Sequence, residues 1–513
     1  MLLDLPLLLV DCAAVALFVL VLSTVRKLLA HARQPRLSLP PGPRGYPLIG
    51  NLMDVPRKSP WEIYNQMAQK YGSLMSLRTM GQTILVINSA TVARDLLEKR
   101  GLTWSDRPVF PLFDMMGLYS WNVALKPHSD EHRLERRIAD HGLRPNAITA
   151  YRAMETFRAH ELLRSLLRDP AGFSDHIKLS ITYGYDLKSI DNAYVVNAHE
   201  LNQTVLSVTF SAAGLINIFP MFKHLPSWFP GMGGMRLVPH IKQLAREIVD
   251  VPFDFVKAAI HDGTAKASLS HEYLTAHEGF ELPPNDQQTR IKNVAATLYD
   301  GAVETTSTLL TNFFLALLFF PETQRKAQAE LDTIVGRDRL PNLDDRDTLP
   351  YIKAIYLELL RWRVISPLGV PRANAEDEVY DGYILPKGSV VFVNLWAMLH
   401  DPVKYPDPDS FRPERFLTED GHFKDDPDIE AAYGFGRRIC PGRFLAQQMT
   451  LVTIMSVLAV FTVDYAKDEY GSEIPVMGEH TVDVPMLSVP LPFECSITPR
   501  DDKALALIHS TDL

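Results

Sequence analysis

Tyr433-Gly434-Phe435-Gly436-Arg437-Arg438-Ile439-Cys440-Pro441-Gly442 is the stretch on which the reading of this chain turns. Its three glycines permit backbone shapes that other residues resist. Beyond Gly442 runs Arg443-Phe444-Leu445-Ala446-Gln447-Gln448, which is helix-forming. The spacing places Cys440 at an N-cap with Pro441 at N1. Free N–H groups and the positive helix end favour a thiolate there. A lone cysteine is ordinarily a small buried hydrophobe. In this loop it reads as a ligating sulfur.

The chain has 513 residues, 46% of them hydrophobic and 22% charged. Such a length buries a large core. A net charge of -9 speaks against a nucleic-acid partner. The three cysteines, Cys12, Cys440 and Cys495, make no disulfide framework and no zinc spacing. They point to a reducing compartment.

From Leu5 to Val25 nearly every residue is apolar, a span suited to a bilayer core. Asp11 costs roughly 2.5–3.5 kcal/mol at mid-membrane. Thirteen Leu, Val and Phe residues return roughly 4–8 kcal/mol, so insertion wins. A cleaved signal peptide would carry a basic segment before the apolar run, and none is present. Arg26, Lys27, Arg33 and Arg36 follow the run and hold the remaining chain on the cytosolic side. Leu39 to Pro47, rich in proline and glycine, reads as a short stiff hinge.

The rest is expected to be mainly helical with small sheets. Leu74 to Leu77 and Thr83 to Ile87 read as strands joined at Met80-Gly81. A long helix from near Thr289 to Pro321, apolar on more than one face, reads as a buried central element. Helices follow over Pro321 to Val335 and Leu349 to Trp362. Short strands are expected at Val379 to Tyr383 and Val390 to Val393.

The Cys440 loop resembles the haem-binding signature of the cytochrome P-450 family, Phe-x-x-Gly-x-Arg-x-Cys-x-Gly. Tyr433 replaces the Phe, and every other fixed position matches. The resemblance extends over nearly the whole chain. It implies a cytochrome P-450 fold around a buried haem b, with Cys440 as the axial iron ligand. Residues 1–25 would then be a transmembrane anchor, 26–50 a linker, and 51–513 the haem-thiolate catalytic domain.

Further residues carry over one at a time. Glu358 and Arg361, three apart on a helix, and Arg415 in Phe411-Arg412-Pro413-Glu414-Arg415-Phe416 resemble a buried charged triad that braces the cysteine loop. Gly301-Ala302-Val303-Glu304-Thr305-Thr306 resembles the oxygen-activation segment, with Ala302 in a glycine's place. There Thr305 would hydrogen-bond dioxygen and Glu304 would help supply protons. A mid-helix hydroxyl otherwise bonds back to a carbonyl one turn earlier. Arg438, Arg372 and Arg136 match cationic positions for the haem propionates. His132 stands where the family has Trp, and His128-Ser129 where it has Tyr-Gly. His132 reads equally well as a partly exposed helix residue.

By family topology the substrate pocket would be lined by Phe110 to Trp121, Leu206 to Leu215, Tyr299, Val303, Leu368 to Val370 and Leu487 to Val489. No charged anchor stands among them, so a lipophilic, neutral substrate is expected. Trp104 to Pro108, and Phe219-Pro220 to Trp228-Phe229-Pro230-Gly231, resemble segments of fungal members. The second reads as either a membrane-dipping or a packed loop. The resemblance implies a monooxygenase of fungal secondary metabolism at the endoplasmic reticulum membrane, with a terpenoid as the narrowest expectation. NADPH electrons would come through a separate NADPH–haemoprotein reductase, with cytochrome b5 as a second donor. Arg133, Arg137, Arg437 and Arg443 would offer the docking face. A haem-thiolate isomerase or dehydratase and a non-catalytic haem sensor are the rival classes.

Overall fold

The structure is a computed structural model that describes residues 37–180, 193–209, 212–265, 268–275, 284–476, 481–484 and 487–512. The expected anchor, and the linker up to residue 36, lie outside the described residues. Chain contacts divide the molecule into two units. The smaller includes the described residues 37–40 and a hairpin of Glu378–Tyr380 with Tyr383–Leu385. In it the Ile384 N–H donates to the Ser38 carbonyl at 2.9 Å. The larger unit holds every element named below.

Helices of eight or more residues dominate it. In chain order they are α1 (Pro60–Tyr71), α2 (Asp130–Leu143), α3 (Arg152–Arg168), α4 (Phe173–Ser180), α5 (Ala193–Thr209) and α6 (Val238–His261). Then come α7 (Pro284–Phe319), α8 (Pro321–Ile334), α9 (Pro350–Trp362), α10 (Arg443–Val460) and α11 (Asp502–His509). The expected long helix is α7, which begins earlier than the periodicity indicated, at a proline suited to a first turn. Its second half is buried all round: Leu309, Leu310 and Phe313 to Leu318 are at most 3% exposed. α7 and α10 are long and apolar enough to cross a membrane, but both are mostly buried inside the protein.

One four-stranded sheet flanks the helices. β1 (Leu74–Thr79) and β2 (Gln82–Ile87) pair antiparallel, Leu74 opposite Ile87 and Thr79 opposite Gln82. Met80 and Gly81 turn the chain at φ 50° and 92°, the left-handed pair that matches strand twist in a tight hairpin. β2 runs parallel to Val390–Val393, which pairs antiparallel with Arg372–Ala373. The hairpin and the 390–393 strand are where the sequence placed them.

One buried acid stands outside any network. Glu155 on α3 is fully buried, and neither carboxyl oxygen has a partner among the described residues. Burial pushes its carboxyl up to about 8, against the opposing pull of Arg152 and Arg346. The folded state therefore holds this proton where the unfolded chain, with a pKa near 4.5, has released it. The resulting penalty is absent at low pH and grows as pH rises from about 4.5 through 8. Glu155→Gln should melt with the parent at pH 5 and above it at pH 8.5, by about 2–4 kcal/mol. Melting midpoints across pH check this; identical pH dependence in both proteins would refute it.

Candidate active site

Cys440 precedes α10 but is not its N-cap. The Gly442 carbonyl accepts the first helical bond, from Ala446 N–H at 2.8 Å, so the cap falls at Gly442 and α10 starts at Arg443. The sequence placed the cap two residues early because proline at N1 is the commoner pattern. The helix-end argument survives the shift. Backbone N–H groups of Gly442 and Arg443 bond the sulfur, and Arg136 and Arg443 lie near it. Burial outweighs them and raises the thiol above its usual range. A coordinated metal ion reverses that balance.

The loop is held from several sides. Cys440 N–H donates to the Tyr433 carbonyl at 2.9 Å. The Tyr433 hydroxyl meets that of Tyr356 on α9. Gly436, at φ 54°, lies so close to residues 97 and 98 that a Cβ would fall 2.2 Å from the Leu97 carbonyl oxygen. Only glycine fits there.

The expected charged triad assembles. Arg361 donates to both oxygens of Glu358, at 2.7 and 2.8 Å, and both side chains are fully buried. Arg415 reaches Glu358 at 3.3 Å, and the Arg412 N–H donates to the same carboxylate at 2.8 Å.

Cys440 lines a cavity of about 480 Å3. Gly301, Ala302, Thr305 and Thr306 form part of its wall. α7 continues as an unbroken α-helix through Ala302. The Thr305 hydroxyl bonds back to the Gly301 carbonyl at 2.6 Å, so the ordinary mid-helix bond and the cavity position hold together. Glu304 is not in the wall; it meets His199 on α5 instead.

Four arginines line the same cavity. Arg438 donates to the carbonyls of Ser105 and Lys126, each at 2.8 Å, and to His132 Nε2 at 2.6 Å. Arg372 donates to the Phe435 carbonyl at 2.6 Å, while its Nη1 has no partner among the described residues. Arg136 donates to the Ile439 carbonyl at 2.5 Å. Arg107 holds the carbonyls of Ala124, Val370 and Pro371. Burial and then their mutual repulsion lower three of these cations: Arg438 to about 9, Arg372 to about 10, and Arg107 well below its usual value. Arg107 escaped the sequence reading. It sits in the quoted Trp104 to Pro108 segment, but nothing local marks it as part of this cluster.

His132 is buried, at 4% exposure, which removes the partly exposed reading. Arginine only donates, so Nε2 accepts and the neutral ring carries its proton on Nδ1, which has no partner among the described residues. Burial and Arg438 hold this ring's pKa down to about 3.

The pocket lining departs from expectation. Tyr299, Gly369, Val370 and Leu487 do line the cavity. Leu112, Met116, Leu118, Trp121 and Val303 instead pack into an apolar cluster with α5 and α6. Their apolar side chains close on one another, and Ile248, Val249, Phe253 and Val256 of α6 take the wall. Of the expected docking arginines, Arg133, Arg137 and Arg437 are exposed. Arg443 is half-buried and donates to the Cys440 carbonyl at 3.1 Å.

A tight cluster of buried cations with an unpartnered guanidinium nitrogen calls for a bound anion. The thiol opens on the same space. These residues fit an iron porphyrin: the arginines would hold its carboxylates and Cys440 would ligate its metal. Such a site defines a haem-thiolate protein.

The comparisons agree. The family model Cytochrome P-450 matches residues 40–477, and the chain belongs to that family. It is 36% identical to the cytochrome P-450 monooxygenase claR of Ampulloclitocybe clavipes, over 92% of this chain and 89% of that one. It is 36% identical to the monooxygenase COX1 of Coprinopsis cinerea, over 96% and 97%. It is 35% identical to monooxygenase 208 of Postia placenta, over 98% and 97%. The protein is a haem-thiolate monooxygenase of the oxidoreductase class.

Proposed function

We propose that this enzyme inserts one oxygen atom from dioxygen into a neutral, lipophilic small molecule of fungal secondary metabolism, a terpenoid being the narrowest reading. The observation that carries the substrate class is the distribution of charge around the cavity. Its cationic groups lie at the arginine end, apart from Lys292, which is neutralised by Asp250 at 2.6 Å. The remaining wall is largely apolar, so a charged substrate would meet no partner. Co-expression with a reductase and a panel of lipophilic compounds, read by mass spectrometry, tests it. Turnover confined to charged, water-soluble compounds would overturn it.

In this reading Cys440 ligates the iron, and Arg107, Arg136, Arg372 and Arg438 hold the propionates. Glu358, Arg361 and Arg415 brace the loop. The bound group supplies reductive activation of dioxygen, favoured by electron donation from the thiolate. The protein binds and orients the substrate, excludes water and moves protons. Thr305 spends its own proton on Gly301, so it presents lone pairs to the cavity. Glu304 supplies protons to that wall. Residues 1–25 anchor the chain at the endoplasmic reticulum membrane and 26–50 link them to the cytosolic domain 51–513. NADPH electrons arrive through a separate reductase, with cytochrome b5 as a second donor.

Thr305→Ala should leave folding and the CO spectrum intact, because alanine suits a helix interior. Product per NADPH consumed should fall about tenfold or more, with peroxide released instead. Product and peroxide, assayed together, check this. Coupling equal to the parent would remove Thr305 from the relay. An isomerase or dehydratase would form product without consuming NADPH, and a sensor would form none.

A further inference from the structure

We propose that His199 is the solvent-side port of the proton path, passing protons from water to Glu304 across the α5–α7 junction. This rests on the reading of Glu304 and Thr305 as a relay.

The geometry separates the two relay residues. Consecutive side chains on a helix diverge by about 100°, so Glu304 and Thr305 face different neighbours. Thr305 lines the cavity, whereas Glu304 meets α5. A relay that starts at Glu304 therefore needs a source of protons on that side. His199 Nδ1 lies 3.1 Å from Glu304 Oε1. The Glu304 side chain is 23% exposed and that of His199 is 56% exposed. Between them they span the step from interior to solvent.

Imidazole suits that step because its two nitrogens serve different neighbours. Nδ1 serves Glu304, and Nε2 has no partner among the described residues. Water protonates Nε2, the Nδ1 proton passes to Glu304, and the ring returns to the neutral form. One proton enters and one leaves, with no change in electron count. The bond to Glu304 raises the imidazole pKa, with burial and Lys178 of α4 opposing. Among the described residues, Glu304 and Lys178 are the charged groups that act on the ring. The adjacent Glu200 is engaged by His240 of α6 at 2.7 Å.

A second link fixes the register. Asp300, one turn before Glu304, accepts from Asn202 of α5 at 3.1 Å and from Asn122 at 3.3 Å. Asn202 lies three residues beyond His199, so the two contacts form rungs between α5 and α7. Asp300 is already committed to two amides, which leaves the imidazole to Glu304.

The test compares the parent with His199→Gln, which keeps a donor but cannot titrate, and with Glu304→Gln and Thr305→Ala. The first measurement is product formed per NADPH consumed from pH 5.5 to 9. In the parent, coupling should fall as the imidazole loses its proton. In His199→Gln it should be lower by roughly tenfold at neutral pH and flat across that range. The second measurement needs no turnover. The carboxyl infrared band of Glu304, assigned by its loss in Glu304→Gln, is recorded in the haem-loaded resting enzyme. Losing the imidazole that bonds Oε1 at 3.1 Å should shift that band in frequency. The proposal is overturned if His199→Gln keeps the parent's pH profile, whatever its absolute rate, or leaves the Glu304 band unmoved. If Glu304→Gln and Thr305→Ala also couple like the parent, the relay reading itself has failed. If those two uncouple while His199→Gln does not, only the port has.

Discussion

Cys440→Ala is expected to abolish turnover and the red-shifted Soret band that thiolate ligation gives the reduced, CO-bound protein. Cys440 lines the same cavity as the four arginines and Thr305 of α7. Alanine removes the ligand and leaves the surrounding brace, so the fold should persist. The backbone N–H of residue 440 still bonds the Tyr433 carbonyl, and the Gly442 cap is unaffected. The porphyrin carboxylates would still find Arg107, Arg136, Arg372 and Arg438. The variant should therefore take up some haem with the spectrum of a different axial ligand. Circular dichroism and haem content, measured beside the CO spectrum, separate loss of ligand from loss of fold. A variant that folds and keeps the parent's band would show that another group binds the iron.

How much of this was legible depended on whether the decisive interaction is local. The cysteine loop, the Glu358–Arg361 pair and the Gly301 to Thr306 segment are short patterns, and each residue's neighbours in sequence are its neighbours in space. The triad also needed Arg415, which α9 meets through the residue 410–416 segment. Resemblance supplied that partner; spacing did not. Arg107 and His132 join the cationic cluster through contacts with residues hundreds of positions away, such as Val370 and Arg438. No periodicity carries that information. The 110–121 part of the expected pocket lining failed for a related reason. Sequence marks 110–121 as apolar but does not say which cavity or cluster its side chains enter, and they enter the cluster with α5 and α6. The same limit hid the His199 contact, since a polar residue on α5 has no sequence mark of its partner on α7.

Glu358→Ala should prevent the folded, haem-loaded protein from accumulating. Glu358 is a single carboxylate serving two guanidinium groups and one backbone N–H. Its own side chain and that of Arg361 are fully buried, and Arg415 is 9% exposed. Breaking a buried pair by removing one partner costs about 3–5 kcal/mol, because an uncompensated charge stays behind. Here two cations lose their counter-charge together, and total stabilities are only about 5–15 kcal/mol. The carbonyls of Leu399 and Ser410 still accept from Arg361, but a carbonyl dipole does not replace a charge. Glu358→Gln should be damaged less, since its amide oxygen still accepts hydrogen bonds in the same place. Arg361→Lys should resemble Glu358→Ala more closely, because an ammonium cannot make the two-pronged contact. The strain reaches the cysteine loop through α9, where Tyr356 meets the Tyr433 hydroxyl. The check is the yield of thiolate-type CO spectrum per unit of expressed chain, with melting followed in parallel. Retention of the parent's haem content and melting midpoint in Glu358→Ala would mean that the triad braces nothing.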